Sequence, residues 1–94
     1  MKEYFELAKS NNLRKIRENK RMTQSELGFA CFQNASEISR YELGKSMPSY
    51  MVLLCLAQCL EVAMEEIYPG LKKIYETVTS RVLLAKQARD RNRR

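Results

Sequence analysis

The sequence predicts an all-α protein: a five-helix domain with a helical extension before it and one additional helix after it. Apolar residues recur from Leu13 onward at the three-and-four spacing of a helix face. No segment alternates with the two-residue period of a half-buried strand. Capping residues precede several of the apolar stripes, and glycine or proline closes others. The 94 residues divide accordingly into a helical extension (1–12), a domain (13–68), a C-terminal helix (69–88) and a basic tail (89–94) expected to be disordered.

In the extension, Tyr4, Phe5 and Ala8 repeat at helical spacing. Leu13 and Ile16 begin the first clear stripe of the domain, with Asn12 as its expected N-cap. Thr23 followed three residues later by Glu26 makes a capping box, in which each side chain accepts from the other residue's backbone amide. The helix that starts there is expected to turn Leu27, Ala30 and Cys31 inward. Asn34 and Glu37 repeat the pattern after a very short turn, with Ile38 and Tyr41 as the inward stripe of a helix over 35–43. Gly44 ends that helix, because glycine adopts the left-handed conformation without steric cost. Pro48 and Ser49 mark the next start, and Met51, Leu53, Leu54, Ala57 and Leu60 predict a central apolar helix. Ala63 to Tyr68 forms a short fifth helix, closed by Pro69 and Gly70.

Hydrophobic residues make up 45% of the chain and charged residues 30%, a globular rather than disordered or fibrous balance. The longest apolar run, Met51 to Ala57, falls far short of the roughly 20 residues of a membrane span. Lys2, Glu3, Glu6 and Lys9 stand where an export signal has an unbroken apolar stretch. A cytoplasmic protein without a membrane partner is expected. Cys31, Cys55 and Cys59 lack the dense, even spacing of a disulfide framework, which suits a reducing compartment. Cys55 and Cys59 share a helical face and could join Cys31 around a metal, but the chain has no histidine. Thiols buried as small hydrophobes are the favoured reading, with no metal and no cofactor.

The net charge of +6 is unevenly placed. Residues 1–68 hold nine Lys or Arg against nine Glu, while residues 69–94 hold eight basic groups against two acidic ones. A DNA-binding face in the domain must therefore come from the arrangement of charges rather than their total.

Two short capped helices separated by three or four residues make a helix-turn-helix arrangement. Leu13 to Tyr68 resembles the phage-repressor (Cro/C1, or XRE-type) helix-turn-helix family. The resemblance runs through Leu13, Ile16, Arg17, Thr23, Gln24, Glu26 and Leu27, then Ile38, Ser39, Arg40, Glu42, Gly44, Lys45 and Pro48, and finally Leu53, Leu54, Ala57, Leu60, Val62 and Ile67. Arg21 and Phe32 depart from it, standing where the family often has glycine, and Gly28 stands where it usually has alanine. A non-glycine residue in a left-handed turn costs ~1 kcal/mol. The turn is thus expected either to change its geometry or to offset the strain by burying Phe32.

The resemblance implies a dimeric, sequence-specific transcriptional regulator, a repressor or controller protein that reads the major groove of a double-stranded DNA operator with helix 35–43. It implies base contacts from Ala35, Ser36, Ser39 and Arg40. At about 100° per residue, with Ile38 inward, Ser36, Arg40 and Leu43 fall within roughly 40° of the outward direction and Ser39 lies at about 100°. The Arg40 guanidinium can donate to both O6 and N7 of guanine, a pairing worth about 1–3 kcal/mol of discrimination. Glu37 reads as a capping-turn residue rather than a reader of cytosine. The resemblance further implies phosphate contacts from Gln24, in the first turn of its helix, from Lys45 and Ser46, and from backbone amides placed by Asn34. It makes Arg17 and Glu42 a structural ion pair, which fixes orientation more than it adds stability.

Leu71, Tyr75, Val78, Val82 and Ala85, spaced four, three, four and three, form a narrow apolar seam. Such a seam either pairs with a second copy, the favoured use, or packs back on its own domain. The basic stretch that follows could add nonspecific attraction to DNA or simply solubilise the chain. A rival reading keeps the scaffold and makes the chain an antitoxin or protein-binding regulator, with the C-terminal segment engaging a partner protein such as a toxin. Catalysis is not expected: histidine is absent, the only aspartate is Asp90, and no glycine-rich phosphate loop occurs.

Overall fold

The apolar stripes become helices, and the computed structural model, which describes residues 2–92 and the side chains from Glu6 onward, holds seven of them. They are α1 (Lys2–Lys9), α2 (Leu13–Asn19), α3 (Gln24–Ala30), α4 (Ala35–Glu42), α5 (Tyr50–Leu60), α6 (Met64–Ile67) and α7 (Leu71–Asn92). No strand occurs among the described residues. Local chemistry sets several starts. The Thr23 hydroxyl accepts from the Glu26 amide at 3.0 Å while the Glu26 carboxylate accepts from the Thr23 amide at 2.8 Å. The Asn34 Oδ1 accepts from the Glu37 amide at 2.8 Å, and the Ser49 hydroxyl accepts from the Val52 amide at 3.3 Å. Gly44 takes φ 73° after α4, and a Cβ there would lie 2.8 Å from the Ala8 carbonyl oxygen, so glycine also lets α1 approach.

One core holds these short helices together. Leu13, Leu27, Ile38, Leu56, Leu60 and Ile67 are fully buried in it, one or two from each of α2 to α6. Leu7 of α1 joins them, and Leu71 and Ile74 pack against the edge. Most of α7 does none of this: every residue from Tyr75 to Asn92 is exposed, and the helix touches the body through α1 and α6 at its start. None of the described helices is long and apolar enough to cross a membrane.

Several local expectations are corrected. Asn12 occupies the cap position of α2 without making a side-chain cap. Asn11 does that work, its Oδ1 accepting from the Leu13 amide at 3.0 Å. Asn12 is recruited elsewhere, donating its backbone amide to the Ile67 carbonyl and its side-chain amide to the Glu66 carbonyl. On α3, Ala30 is exposed and Gly28 is buried in its place, because the helix turns the arc between Leu27 and Gly28 toward the α3–α4 turn. On α5, Met51 is 70% exposed and Leu54 stands at the rim, whereas Leu56, absent from the expected stripe, is fully buried. Leu53, Leu56, Ala57 and Leu60 follow the i, i+3, i+4, i+7 pattern that centres the buried face.

The two glycine-like turns keep their left-handed geometry without glycine, at φ 56° for Arg21 and φ 59° for Phe32. Burial does not offset the strain, since Phe32 is 90% exposed. The C-terminal helix continues to Asn92 rather than ending near 88, so residues 89–92 are helical. Nothing after Gly70 breaks it, and Arg89 and Arg91 oppose the negative end of its dipole. Arg93, Arg94 and the side chains of Tyr4 and Phe5 lie outside the described residues.

Candidate nucleic-acid interface

The α3–α4 pair is set by backbone approach. The Gly28 carbonyl accepts from the amides of both Cys31 and Gln33, at 3.0 and 2.7 Å, which folds the chain back on α3. A Cβ at Gly28 would lie 2.9 Å from the Gln33 carbonyl oxygen, so the close turn requires a glycine there. Left-handed Phe32 completes the reversal, and Asn34 caps the next helix. From inside, Ile38 is fully buried and the Tyr41 hydroxyl donates to the Gln33 Oε1 at 2.9 Å, tying α4 to the turn that precedes it. Burial, with the nearby Glu37 carboxylate second, pushes the Tyr41 phenol above its ordinary range.

The opposite arc of α4 is uncovered. Ser36 and Arg40 are exposed, Leu43 just beyond the helix is 60% exposed, and Ala35 and Ser39 are half-buried at its flanks. Lys45 is exposed and Ser46 half-buried in the segment that follows. The first four amides of a helix have no partner within it, so the Asn34 cap leaves donors at the start of α4 beside the Ser36 side of the arc.

A charged network beneath this arc locks α4 to α2 and α3. Arg17 Nε lies 2.6 Å from Glu42 Oε2 and Arg17 Nη2 lies 3.2 Å from Glu42 Oε1, a two-pronged contact. Arg17 Nη1 also donates to the Met22 carbonyl at 2.8 Å. Both side chains are largely withdrawn from water, 11% and 3% exposed. The hydrogen bond that Arg17 donates to Glu42 raises the Arg17 pKa despite the opposing effect of burial. Gln24 is half-buried, and its Nε2 donates to Glu42 Oε1 at 3.0 Å. Nothing local in the sequence announces the Gln24–Glu42 or Tyr41–Gln33 bonds, since each joins elements that only the fold brings together.

The three thiols lie elsewhere, Cys31 buried at the end of α3 and Cys55 and Cys59 half-buried on α5. Burial, then the neighbouring Cys55 and Cys59 sulfurs, push the Cys31 thiol up to about 12. No group of three His, Cys, Asp or Glu among the described residues is placed to hold a metal ion.

The arrangement is a short helix held by its predecessor, with one face committed to the core and the other offering Ser, Arg and free amides to solvent. No curated protein matches the chain. The family described as Helix-turn-helix (HTH_3) matches residues 13–67, from the first residue of α2 to the last of α6. That match spans more than half of the chain, which accordingly belongs to the helix-turn-helix family.

Proposed function

We propose that this protein is a sequence-specific DNA-binding transcriptional regulator of the Cro/C1 or XRE type, acting in the cytoplasm as a dimeric repressor or controller by binding rather than by catalysis. The observation that carries this reading is the uncovered arc of α4, whose exposed Ser36 and Arg40 oppose fully buried Ile38. Laid in the major groove, α4 directs Ser36, Ser39 and Arg40 to base edges, with Ala35 against the groove wall. Gln24, Lys45, Ser46 and the amides capped by Asn34 hold phosphates on either side and set register. Gln24 donates its side-chain amide to Glu42, which orients the side chain at the start of α3. The exposed seam of α7, with Tyr75, Val78, Val82 and Ala85 following half-buried Leu71, supports dimerisation.

Selection of bound sequences from a random duplex pool tests the reading. The wild-type chain should enrich a two-fold-related site, and Arg40→Ala should lose preference at one symmetric pair of positions, a loss of about 1–3 kcal/mol per contact. Equal weakening on every sequence would place Arg40 on phosphate. A pool without any enriched motif at moderate salt would remove the regulator reading altogether.

A further inference from the structure

The extension α1 lies outside the matched family region, yet its end is built into the end of α4. A Cβ added at Gly44 would lie 2.8 Å from the Lys9 Cα as well as from the Ala8 carbonyl oxygen, so the last turn of α1 rests on the residue between Leu43 and Lys45. One side chain fastens the two helices. The Asn11 side-chain amide donates to the Ala8 carbonyl at 2.9 Å and to the Tyr41 carbonyl at 3.0 Å, while its Oδ1 caps α2. Lys9 is thereby fixed next to the Gly44–Lys45 segment, at the border of the arc that α4 offers outward. Both lysines are exposed.

The charge at this corner has one sign. Residues 7–17 hold Lys9, Arg14, Lys15 and Arg17, and residues 43–49 hold Lys45, with no Asp or Glu in either stretch. The carboxylates that border these stretches are engaged or turned aside: Glu42 holds Arg17 and Gln24, Glu18 pairs with Arg14, and Glu6 lines an opening with Gly70 and Lys73. Neither Lys9 nor Lys45 forms an ion pair with a described residue. Two helices end here, and the open carbonyls of a helix end repel an anion. Asn11 takes one such carbonyl from each helix, which leaves the two ammonium groups to set the local field. Unneutralised cations held at one corner repel each other, and an anion within reach of both relieves that repulsion.

We propose that Lys9 binds a backbone phosphate of the DNA operator together with Lys45, so that the extension α1 is part of the DNA interface and not only a support of the core. The inference rests on the regulator reading above, in which Lys45 meets phosphate at the end of α4. A lysine at such a place acts as a point charge, adding affinity and fixing position without reading sequence.

Fluorescence-anisotropy titrations of the full chain, on the selected duplex and on a scrambled one across a salt series, test it with Lys9→Ala, Lys9→Arg and Lys15→Ala. Lys15 is an exposed lysine of α2 that lines a separate opening with Glu66 and Pro69. Lys9→Ala should weaken binding to both duplexes by the same factor, and should reduce the steepness of log K against log salt by about one per protomer. Lys9→Arg should restore the slope, and Lys15→Ala should keep it near the wild-type value. A wild-type slope in Lys9→Ala would overturn the inference, even if the Tm fell, because Lys9 would then only support α1. An equal loss of slope in Lys15→Ala would also overturn it, as an effect of net charge alone. Either result leaves the regulator reading standing, so long as Arg40→Ala still changes base preference. A wild-type chain that selects no motif would overturn that reading and this inference with it.

Discussion

Glu42 is the side chain on which the geometry of the interface converges, since one carboxylate holds Arg17 of α2 and Gln24 of α3 from the end of α4. Glu42→Ala should strand the nearly buried Arg17 guanidinium, which keeps only the Met22 carbonyl, at a cost of about 3 kcal/mol. A thermal melt should show this as a fall in Tm of roughly 10 °C or more. Base preference should survive in the fraction that remains folded, because Glu42 faces inward; an unchanged Tm would refute the structural role. Phe32 offers the opposite test. It holds φ 59° with its ring 90% exposed, so Phe32→Gly should relieve left-handed strain while giving up little burial. The net gain after the added freedom of the unfolded chain is at most about 0.5 kcal/mol, a rise in Tm of no more than roughly 4 °C.

Among the elements, α3 has the most legible start and the clearest dependence on pH. The Thr23 amide and hydroxyl bond the Glu26 carboxylate and hold its pKa below the usual glutamate range. A depressed folded-state pKa contributes stability that is present above the unfolded value and lost as pH falls through the folded one. Glu26→Gln should accordingly melt below the wild type at neutral pH, and the gap should close in acid as Glu26 takes up its proton. The Thr23–Glu26 box, the Asn34 cap and Gly44 could be read from the sequence because each involves residues within one turn of each other. Asn11 could not, since its choice as the cap depends on α6 claiming Asn12 from 54 residues away. Leu56 was legible in principle: its spacing from Leu53 and Leu60 places it at the centre of the α5 stripe, a position that arithmetic alone assigns to the core.

For the whole molecule, the division of labour along the chain governs stability. No residue of α7 is buried, and its contribution to the core ends with Leu71 and Ile74. A chain ending at Tyr75 should therefore retain a cooperative melt, while losing the rise of Tm with protein concentration that a dimer imposes. A truncated chain that fails to fold would show that the long helix supports the body in ways its exposure does not suggest.

The sequence by itself determined the helices, their approximate limits and the inward residues Leu13, Leu27, Ile38 and Tyr41, because periodicity and capping act over three or four residues, while on α3 and α5 part of the expected inward face turned out to be exposed. It also determined which arc of α4 is offered outward, since one buried residue fixes the direction of the rest. The tertiary structure decided what those faces meet: the joining of Arg17, Gln24 and Glu42, and the exposure of Phe32 and Met51. These depend on helices brought together from distant parts of the chain, and no local pattern encodes a distance between residues that only packing makes neighbours.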